Sequence, residues 1–248
     1  MKRLYLAAAV LCALLVASPA QADSRTRVLP GTFQPNWLST SKLWLRADVG
    51  VTTGATFTWH DQSGNGYDSA QATALNQPTV VVGVSALPSL AFNAANEQIL
   101  VNATIPAVAQ SVVLYVVAQE ASQATSRYPV SFGTNAATGV IRSNAATTIA
   151  ADNNNFGNQI GGTYNMTNPF ICSVGFNGAS SSIRANGSVL QSGTLGSGGV
   201  GSGYTVGGES SNGADWWDKW VSEIILDSGT TQNAQIQNYL QARYGITP

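Results

Sequence analysis

Charged residues are scarce in this chain. They make up 9% of its 248 residues, with 11 Lys and Arg, 12 Asp and Glu and a formal net charge of −1, whereas an average globular protein has about 25%. No basic stripe is present, which argues against nucleic acid and anionic membrane surfaces as partners. Ser, Thr, Asn, Gln and Gly must supply the solubility instead. Such a neutral polar surface suits uncharged ligands, glycans among them.

Histidine and cysteine are almost absent. His60 is the one histidine, so a zinc site built on several histidines is excluded. A Ser-His-Asp triad would have to use His60, and no Gly-x-Ser-x-Gly elbow accompanies it; we expect His60 to be an outward-facing strand residue. The two cysteines are Cys12, in the N-terminal apolar run, and Cys172. Cys172 alternates with the apolar residues of segment 170–176, which predicts a buried thiol. It is the one cysteine expected in the mature chain, so no internal disulfide is predicted.

Long apolar runs are missing except at the N-terminus. Residues 4–17 are apolar, Lys2 and Arg3 precede them, and Ala20-Gln21-Ala22 follows. This pattern predicts a secretory signal peptide at residues 1–22, cleaved after Ala22. The run is shorter than the ~20 residues that a membrane span needs. We therefore expect the mature chain in the periplasm or outside the cell, with no membrane span.

The remaining sequence predicts a flexible leader at residues 23–37 and one large all-β domain at residues 38–248. Within the domain, short apolar runs alternate with turn-forming residues at the spacing typical of a β-sandwich. Residues 110–118 are almost continuously apolar, which indicates a strand buried on both faces, or one with a side under the C-terminal helix. Asn186-Gly187 predicts a two-residue type I′ turn in a hairpin.

The C-terminal part contains a loop, a strand and a helix. Residues 192–203 are rich in Gly and Ser and are predicted to form a mobile loop. The last long strand is expected at residues 216–226. Beyond it, Thr230 or Thr231 should cap a helix that ends at a left-handed Gly245. The buried stripe of this helix is expected to be Ile236, Tyr239 and Leu240, extended by the stem of Arg243.

Four segments together resemble a known family. Residues 59–68 read Trp-His-Asp-Gln-Ser-Gly-Asn-Gly-Tyr-Asp, residues 43–48 read Leu-Trp-Leu-Arg-Ala-Asp, residues 223–227 read Glu-Ile-Ile-Leu-Asp, and residues 239–246 read Tyr-Leu-Gln-Ala-Arg-Tyr-Gly-Ile. In this order and separation they resemble the laminin G-like, concanavalin A-like jelly-roll domains of secreted bacterial proteins, over nearly the whole mature chain. The resemblance implies an antiparallel jelly-roll β-sandwich closed by one C-terminal helix.

The segment from Asp61 to Asp68 is a candidate calcium loop. Asp61, Ser63 and Asn65 place oxygen ligands at alternate positions before a glycine, as calcium loops do, and Asp68 can add a second carboxylate if the loop folds back. Ala72 stands where an EF-hand has its bidentate Glu, so this is no EF-hand. Laminin G-like relatives frequently bind calcium at a sandwich rim, which the resemblance implies here. The alternative is an Asx-type turn in which Asp61 and Asn65 bond to backbone amides.

Aromatic and amide side chains are candidates for ligand binding. Exposed aromatic rings stack on the apolar faces of sugars, while neighbouring Asp and Asn bond to the hydroxyl groups. The alternative for the indoles is packing against the core or the terminal helix. The candidates are Tyr67, Asn153, Tyr164, Trp216 and Trp217.

The carboxylates give little support to a glycosidase, which needs two of them as acid and base or nucleophile. Concanavalin A-like endoglucanases carry Glu-x-Asp-x-x-Glu or Glu-x-Asp-x-Glu on one strand, and neither string occurs here. The glutamates are Glu97, Glu120, Glu209 and Glu223, none with another acid two residues away. Glu223 matches the acid that recurs in the last strand of laminin G-like relatives, for which a structural role is expected.

The resemblance and the missing acid pair together predict a secreted, non-enzymatic binding module for carbohydrate or another cell-surface ligand. One alternative is a divergent glycan hydrolase or lyase of the same fold. Another is a structural component of an envelope, appendage or virion surface. Calcium is the one cofactor considered, and the oligomeric state is left open.

Overall fold

Strands dominate the computed structural model. It describes residues 33–248 except 124–125, 134–138, 146, 154–156, 210–214 and 230–232. In chain order, the strands of the described part are β1 (Ser41–Arg46), β2 (Val51–Thr52), β3 (Phe57–Trp59), β4 (Ser69–Gln71), β5 (Thr79–Val82), β6 (Pro88–Phe92), β7 (Leu100–Asn102), β8 (Val112–Glu120), β9 (Arg127–Phe132), β10 (Val140–Ala145), β11 (Thr148–Asn153), β12 (Asn158–Thr163), β13 (Phe170–Phe176), β14 (Ser181–Ala185), β15 (Ser188–Gly193), β16 (Tyr204–Val206) and β17 (Lys219–Asp227). The helix α1 spans Ala234–Tyr244.

The strands form two antiparallel sheets packed face to face. Sheet A has the order β15-β14-β13-β8-β17-β6-β5, and β1 also pairs with β17. Sheet B has the order β12-β11-β10-β9-β16-β7-β4-β3-β2. The pairings are antiparallel throughout both sheets. The predicted all-β sandwich with one C-terminal helix is confirmed.

The long apolar strand β8 is buried on both faces, as its sequence predicts. Val112, Leu114, Val116 and Ala118 enter the main core between the two sheets, because successive side chains of a strand point to opposite faces. Val113, Tyr115 and Val117 face a second core under the C-terminal helix. The helix contributes Ile236, Tyr239, Leu240 and Tyr244 to that core.

The helix α1 has the predicted stripe and C-cap but a different N-cap. The side chain of Asn233 accepts a hydrogen bond from the Gln235 N–H at 2.9 Å, so the cap lies beyond the predicted Thr230 and Thr231, which fall outside the described residues. Gly245 adopts the left-handed conformation, with φ 60°, and ends the helix. Within the described part of the chain, no helix is long and apolar enough to cross a membrane.

Two local predictions are confirmed by the backbone and the core. A type I′ turn needs two positive φ angles. Asn186 and Gly187, which connect β14 to β15, have φ values of 52° and 90°. Cys172 is completely buried in the main core, and this burial raises the pKa of its thiol.

Glu223 attaches the helix to sheet A. Its carboxylate is buried and accepts hydrogen bonds from the Trp44 indole at 2.6 Å and from the hydroxyls of Tyr239 and Tyr244 at 3.0 and 2.9 Å. Burial raises the pKa of Glu223, although nearby arginines oppose the shift. Three donors and a closed environment give this carboxylate a structural role.

Asp48 completes this polar layer between two arginines. Its carboxylate accepts from the Nε and Nη2 atoms of Arg46 at 3.1 and 2.9 Å and from the Nη2 atom of Arg243 at 2.6 Å. Burial alone would raise the pKa of Asp48, but the two guanidinium groups outweigh it and hold the pKa below its usual value. The Arg243 Nε atom also lies 3.3 Å from Glu223. The ion pairs therefore connect β1, β17 and α1.

We predict that Asp48→Asn lowers the free energy of unfolding by about 3–5 kcal/mol at neutral pH, because it removes the carboxylate shared by two buried guanidinium groups. The pKa of Asp48 is lowered on folding, so its contribution is fully present above the unfolded value of about 3.9 and is lost as the pH falls through the folded value. Glu223, with a raised pKa, changes stability in the opposite sense. It is present in both proteins, so most of its own pH dependence cancels in their difference, although Arg243 couples it to Asp48.

Urea titrations of the wild type and Asp48→Asn at neutral pH and below about pH 4 measure the difference in their free energies of unfolding. The control is Asp218→Asn, because the Asp218 carboxylate is 37% exposed and should contribute less than about 1 kcal/mol. A wild-type advantage that stays constant below about pH 4 would contradict the assignment.

Candidate functional site

The four predicted calcium ligands lie in one loop between β3 and β4. The Asp61 carboxylate accepts four hydrogen bonds there. Its Oδ1 atom accepts from the backbone N–H of Trp44 at 3.0 Å and of Ser63 at 2.9 Å. Its Oδ2 atom accepts from the Ser63 hydroxyl at 2.8 Å and from the Tyr67 N–H at 3.1 Å. The side chain thus forms the predicted Asx-type turn and also attaches the loop to β1.

Asn65 and Asp68 close the same loop. The Asn65 amide donates to the carbonyls of Ser41 and Lys42 at 3.2 and 3.1 Å. The Asp68 carboxylate accepts from the Asp61 N–H and contacts the His60 ring, both at 2.8 Å. Among the described residues, no group of three or more His, Cys, Asp or Glu side chains is arranged to hold a metal ion. Calcium binding at Asp61, Ser63, Asn65 and Asp68 stays a prediction.

Thermal unfolding separates the turn from the calcium site. Asp61→Ala should cost about 2 kcal/mol or more with or without calcium, because it leaves several buried or half-buried donors without their charged acceptor. If calcium binds, millimolar calcium should raise the wild-type midpoint relative to chelator, by about 2.7 kcal/mol of stability at 100 times the dissociation constant. If calcium does not change the wild-type midpoint, the Asx-type turn is the one remaining role of Asp61. If Asp61→Ala is as stable as the wild type, that structural role is contradicted.

Two of the candidate aromatic residues are partly built into the fold. Tyr67 packs against the main core, and its carbonyl accepts a hydrogen bond from the Tyr204 hydroxyl at 2.6 Å. Tyr164 also packs against this core, with its hydroxyl 2.9 Å from the Asn186 amide. Both rings are half-buried, and they belong to different loops. They do not form a common platform.

The structure corrects the assignment of Trp217 as an exposed ligand-binding residue. Trp217 is completely buried in the main core, and its indole donates to the Trp220 carbonyl at 3.3 Å. The reason is that β17 begins only at Lys219, so strand alternation does not govern Trp216 and Trp217. Trp216 remains partly exposed and forms a bridge with the backbone of Tyr128.

Asn153 is buried beneath a glycine-rich loop. Its side-chain amide donates to the carbonyls of Gly198 and Gly199 at 2.9 and 3.2 Å. From the other side, the Gln110 amide donates to the carbonyls of Gly196 and Gly198 at 2.7 and 2.6 Å. The loop is also paired through Val200, a buried residue. Asn153 therefore helps to hold the loop in shape. The sequence predicted a mobile loop here, whereas side-chain hydrogen bonds restrain its carbonyls.

This loop borders a cleft of about 510 Å³, within the range of small-molecule sites. We call it the glycine cleft. The Gly199 position is sterically restricted, because a Cβ there would lie 1.8 Å from the Val108 carbonyl oxygen. Among the described residues, the lining consists of uncharged ones: Ala107, Asn153, Asn158, Gly196, Ser197, Gly198, Gly199, Val200 and Gly201.

A second polar cluster lies around β10 and β11 of sheet B. The Arg142 Nε atom is 2.5 Å from the buried Asp152 carboxylate. Burial raises the pKa of Asp152 despite this partner. Burial also raises the pKa of Asp215, and the charge of Glu209 adds to that shift. Sequence spacing did not reveal this grouping, because the acids come from separate parts of the chain.

Comparisons with known proteins show the fold. No protein-family model and no curated protein matches the sequence. Among solved structures, a Trypanosoma rangeli sialidase matches with a TM-score of 0.57 and 14% identity, over 82% of this chain and 33% of the sialidase. This chain thus spans about a third of that enzyme.

Two shorter structures match similarly. Domain 4 of AbnA, a GH43 extracellular arabinanase from Geobacillus stearothermophilus in complex with arabinotriose, has a TM-score of 0.58 and 10% identity, over 81% of this chain and 98% of that domain. The binding domain of Paraclostridial Mosquitocidal Protein 1 has a TM-score of 0.60 and 11% identity, over 85% of this chain and 53% of that one. These neighbours are compatible with the expected jelly roll.

Proposed function

We propose that this protein is a secreted binding module that holds a carbohydrate, or another uncharged cell-surface ligand, in the glycine cleft without cleaving it. The observation that carries the proposal is the chemistry of the cleft. Its described lining offers amide side chains, a serine hydroxyl and the peptide groups of successive glycines, and none of these lining residues is charged. Binding of a neutral ligand there desolvates no charge on the protein.

Sugar hydroxyl groups match this lining because each can donate and accept a hydrogen bond. The Asn158 and Ser197 side chains also offer both functions, and glycine leaves the peptide groups of the loop open to a ligand. The amides of Asn153 and Gln110 already hold the loop carbonyls, which reduces the entropy cost of ordering it on binding. The predicted signal peptide and the glycan-related proteins that contain similar folds also support the proposal.

The test fills the cleft without straining the backbone. A Cβ at Gly198 would meet Asn153 at 3.6 Å, an ordinary contact, so Gly198→Leu should fold and occupy the cleft. We expect binding on a glycan array to fall at least about tenfold, which corresponds to 1.4 kcal/mol. The unfolding midpoint should change little.

The matched control is Gly175→Leu on β13, where the nearest atom to a new Cβ lies at 4.0 Å. It should bind as the wild type does. Undiminished binding by Gly198→Leu would place the ligand elsewhere. A wild type that binds no glycan, with or without calcium, would contradict a carbohydrate-binding function.

The grouping of Asp152, Glu209 and Asp215 favours a second candidate function, a divergent glycan hydrolase. A carboxyl group with a raised pKa beside another carboxylate is the arrangement that glycosidases use for acid catalysis. Burial raises the pKa of Asp215, and the charge of Glu209 adds to the shift. Release of reducing sugar from a polysaccharide panel, lost in Glu209→Gln and kept in Glu97→Gln, would support it. Absence of any release would dismiss it.

A further inference from the structure

Three polar side chains form a continuous hydrogen-bonded row at the edge of sheet B. Thr52 lies on β2, His60 directly follows β3, and Asp68 directly precedes β4. The Thr52 hydroxyl is 2.9 Å from His60 Nε2, and His60 Nδ1 is 2.8 Å from Asp68 Oδ2. The three strands are neighbours in the sheet, which brings residues eight positions apart into contact.

The distances are compatible with one arrangement of protons that suits catalysis. An imidazole that donates from Nδ1 to Asp68 presents the lone pair of Nε2 to the Thr52 hydroxyl. This is the order of hydroxyl, base and orienting acid that activates a nucleophile in hydrolases, which is recognised by geometry rather than by position in the chain.

The base and the acid are held in place by the fold. The second oxygen of Asp68 accepts from the Asp61 N–H at 2.8 Å, and the Asp68 carbonyl accepts from the Asn102 amide at 2.7 Å. The backbone N–H of His60 donates to the Gly50 carbonyl at 2.6 Å. The Gln62 amide donates to the His60 carbonyl at 3.0 Å. The imidazole therefore needs little reorganisation to act on the hydroxyl.

The surroundings leave room for a substrate and for a developing negative charge. The side chains of His60 and Asp68 are 43% and 41% exposed, and Thr52 is exposed. Among the hydrogen bonds of the described residues, none is donated by the backbone N–H of Thr53 or Gly54. In several hydrolases the residue after the nucleophile supplies an oxyanion donor, and Thr53 has that place.

We propose that Thr52, His60 and Asp68 form an esterase centre for small acyl esters presented at the protein surface. The Thr52 oxygen bonds to the ester carbonyl carbon while its proton passes to His60 Nε2. The bond to the alcohol oxygen then breaks, and His60 returns the proton to the departing alcohol, leaving an acyl-threonine. Water, deprotonated by His60, releases the carboxylic acid, and the proton returns to Thr52. Ester and water give acid and alcohol, with no other reactant.

This activity is additional to ligand binding in the glycine cleft and uses none of its residues. If both proposals are correct, the ligand in the glycine cleft is bound there without being cleaved, and ester cleavage takes place at Thr52. The two fail separately, because Gly198→Leu tests binding and leaves Thr52, His60 and Asp68 unchanged. An O-acyl group on a carbohydrate is a suitable ester, since its carbonyl carbon projects from the sugar and can reach the exposed Thr52 hydroxyl.

The test uses the purified protein and para-nitrophenyl acetate. The wild type should release nitrophenolate faster than an equal concentration of free imidazole, and peptide mass analysis after rapid quenching should find one acetyl group on Thr52. Thr52→Val, which keeps the side-chain shape at an exposed position, should reduce the rate at least about 100-fold and abolish the acetylated peptide. His60→Gln should do the same. The control is Thr58→Val, at the position paired with Thr52, which should retain the full rate.

Asp68 is a positioning residue, because it contacts the imidazole and not the ester. Asp68→Asn should lower kcat and leave KM unchanged, whereas general damage to the loop would lower the unfolding midpoint and change both constants. A wild-type rate no higher than that of free imidazole would overturn the proposal. A rate lost in His60→Gln but retained in Thr52→Val would also overturn it, since the imidazole would then act without a nucleophile.

Discussion

The strand β17 is the constraint on which the rest of the structure depends. Along one edge it pairs with β8 over nearly its whole length, while its other edge is divided between β6 and β1. The register shifts between Val221 and Glu223, where Ser222 is the extra residue of a bulge. The Ala47 N–H donates to the Ser222 carbonyl at 3.1 Å. This division brings β1 against the helix and turns the following chain toward sheet B.

The strand β1 also connects to the row of Thr52, His60 and Asp68 at the edge of sheet B. The Trp44 side chain bonds to Glu223 under the helix, and the Trp44 backbone donates to Asp61. Asp61 in turn donates its N–H to Asp68, which orients His60. The helix–sheet layer and the loop are therefore joined by a continuous series of covalent and hydrogen bonds. Residues 43–48 and 59–68 belong to one connected unit, although only their order was visible in the sequence.

Elements defined by local chemistry could be predicted from the sequence. The apolar run of β8, the Asn186-Gly187 turn, the C-terminal helix and the Asx turn at Asp61 follow from periodicity or from the conformational preference of one or two residues. Trp217 could not be placed, because its burial depends on where β17 begins. The role of Asn153 and the row from Thr52 to Asp68 depend on pairing between separate segments, which periodicity does not contain.

The two proposed sites differ in how firmly the structure holds the groups that would contact a ligand. In the glycine cleft, the loop carbonyls are held by the amides of Asn153 and Gln110, so a ligand meets a prepared, neutral surface. The row formed by Thr52, His60 and Asp68 is open to water, where an oxyanion donor stabilises charge less than it does in a dry site. Its chemistry is therefore confined to esters with good leaving groups or to substrates that the protein also binds. If the glycine cleft binds the same molecule that carries the ester, ester cleavage would gain from that binding by proximity.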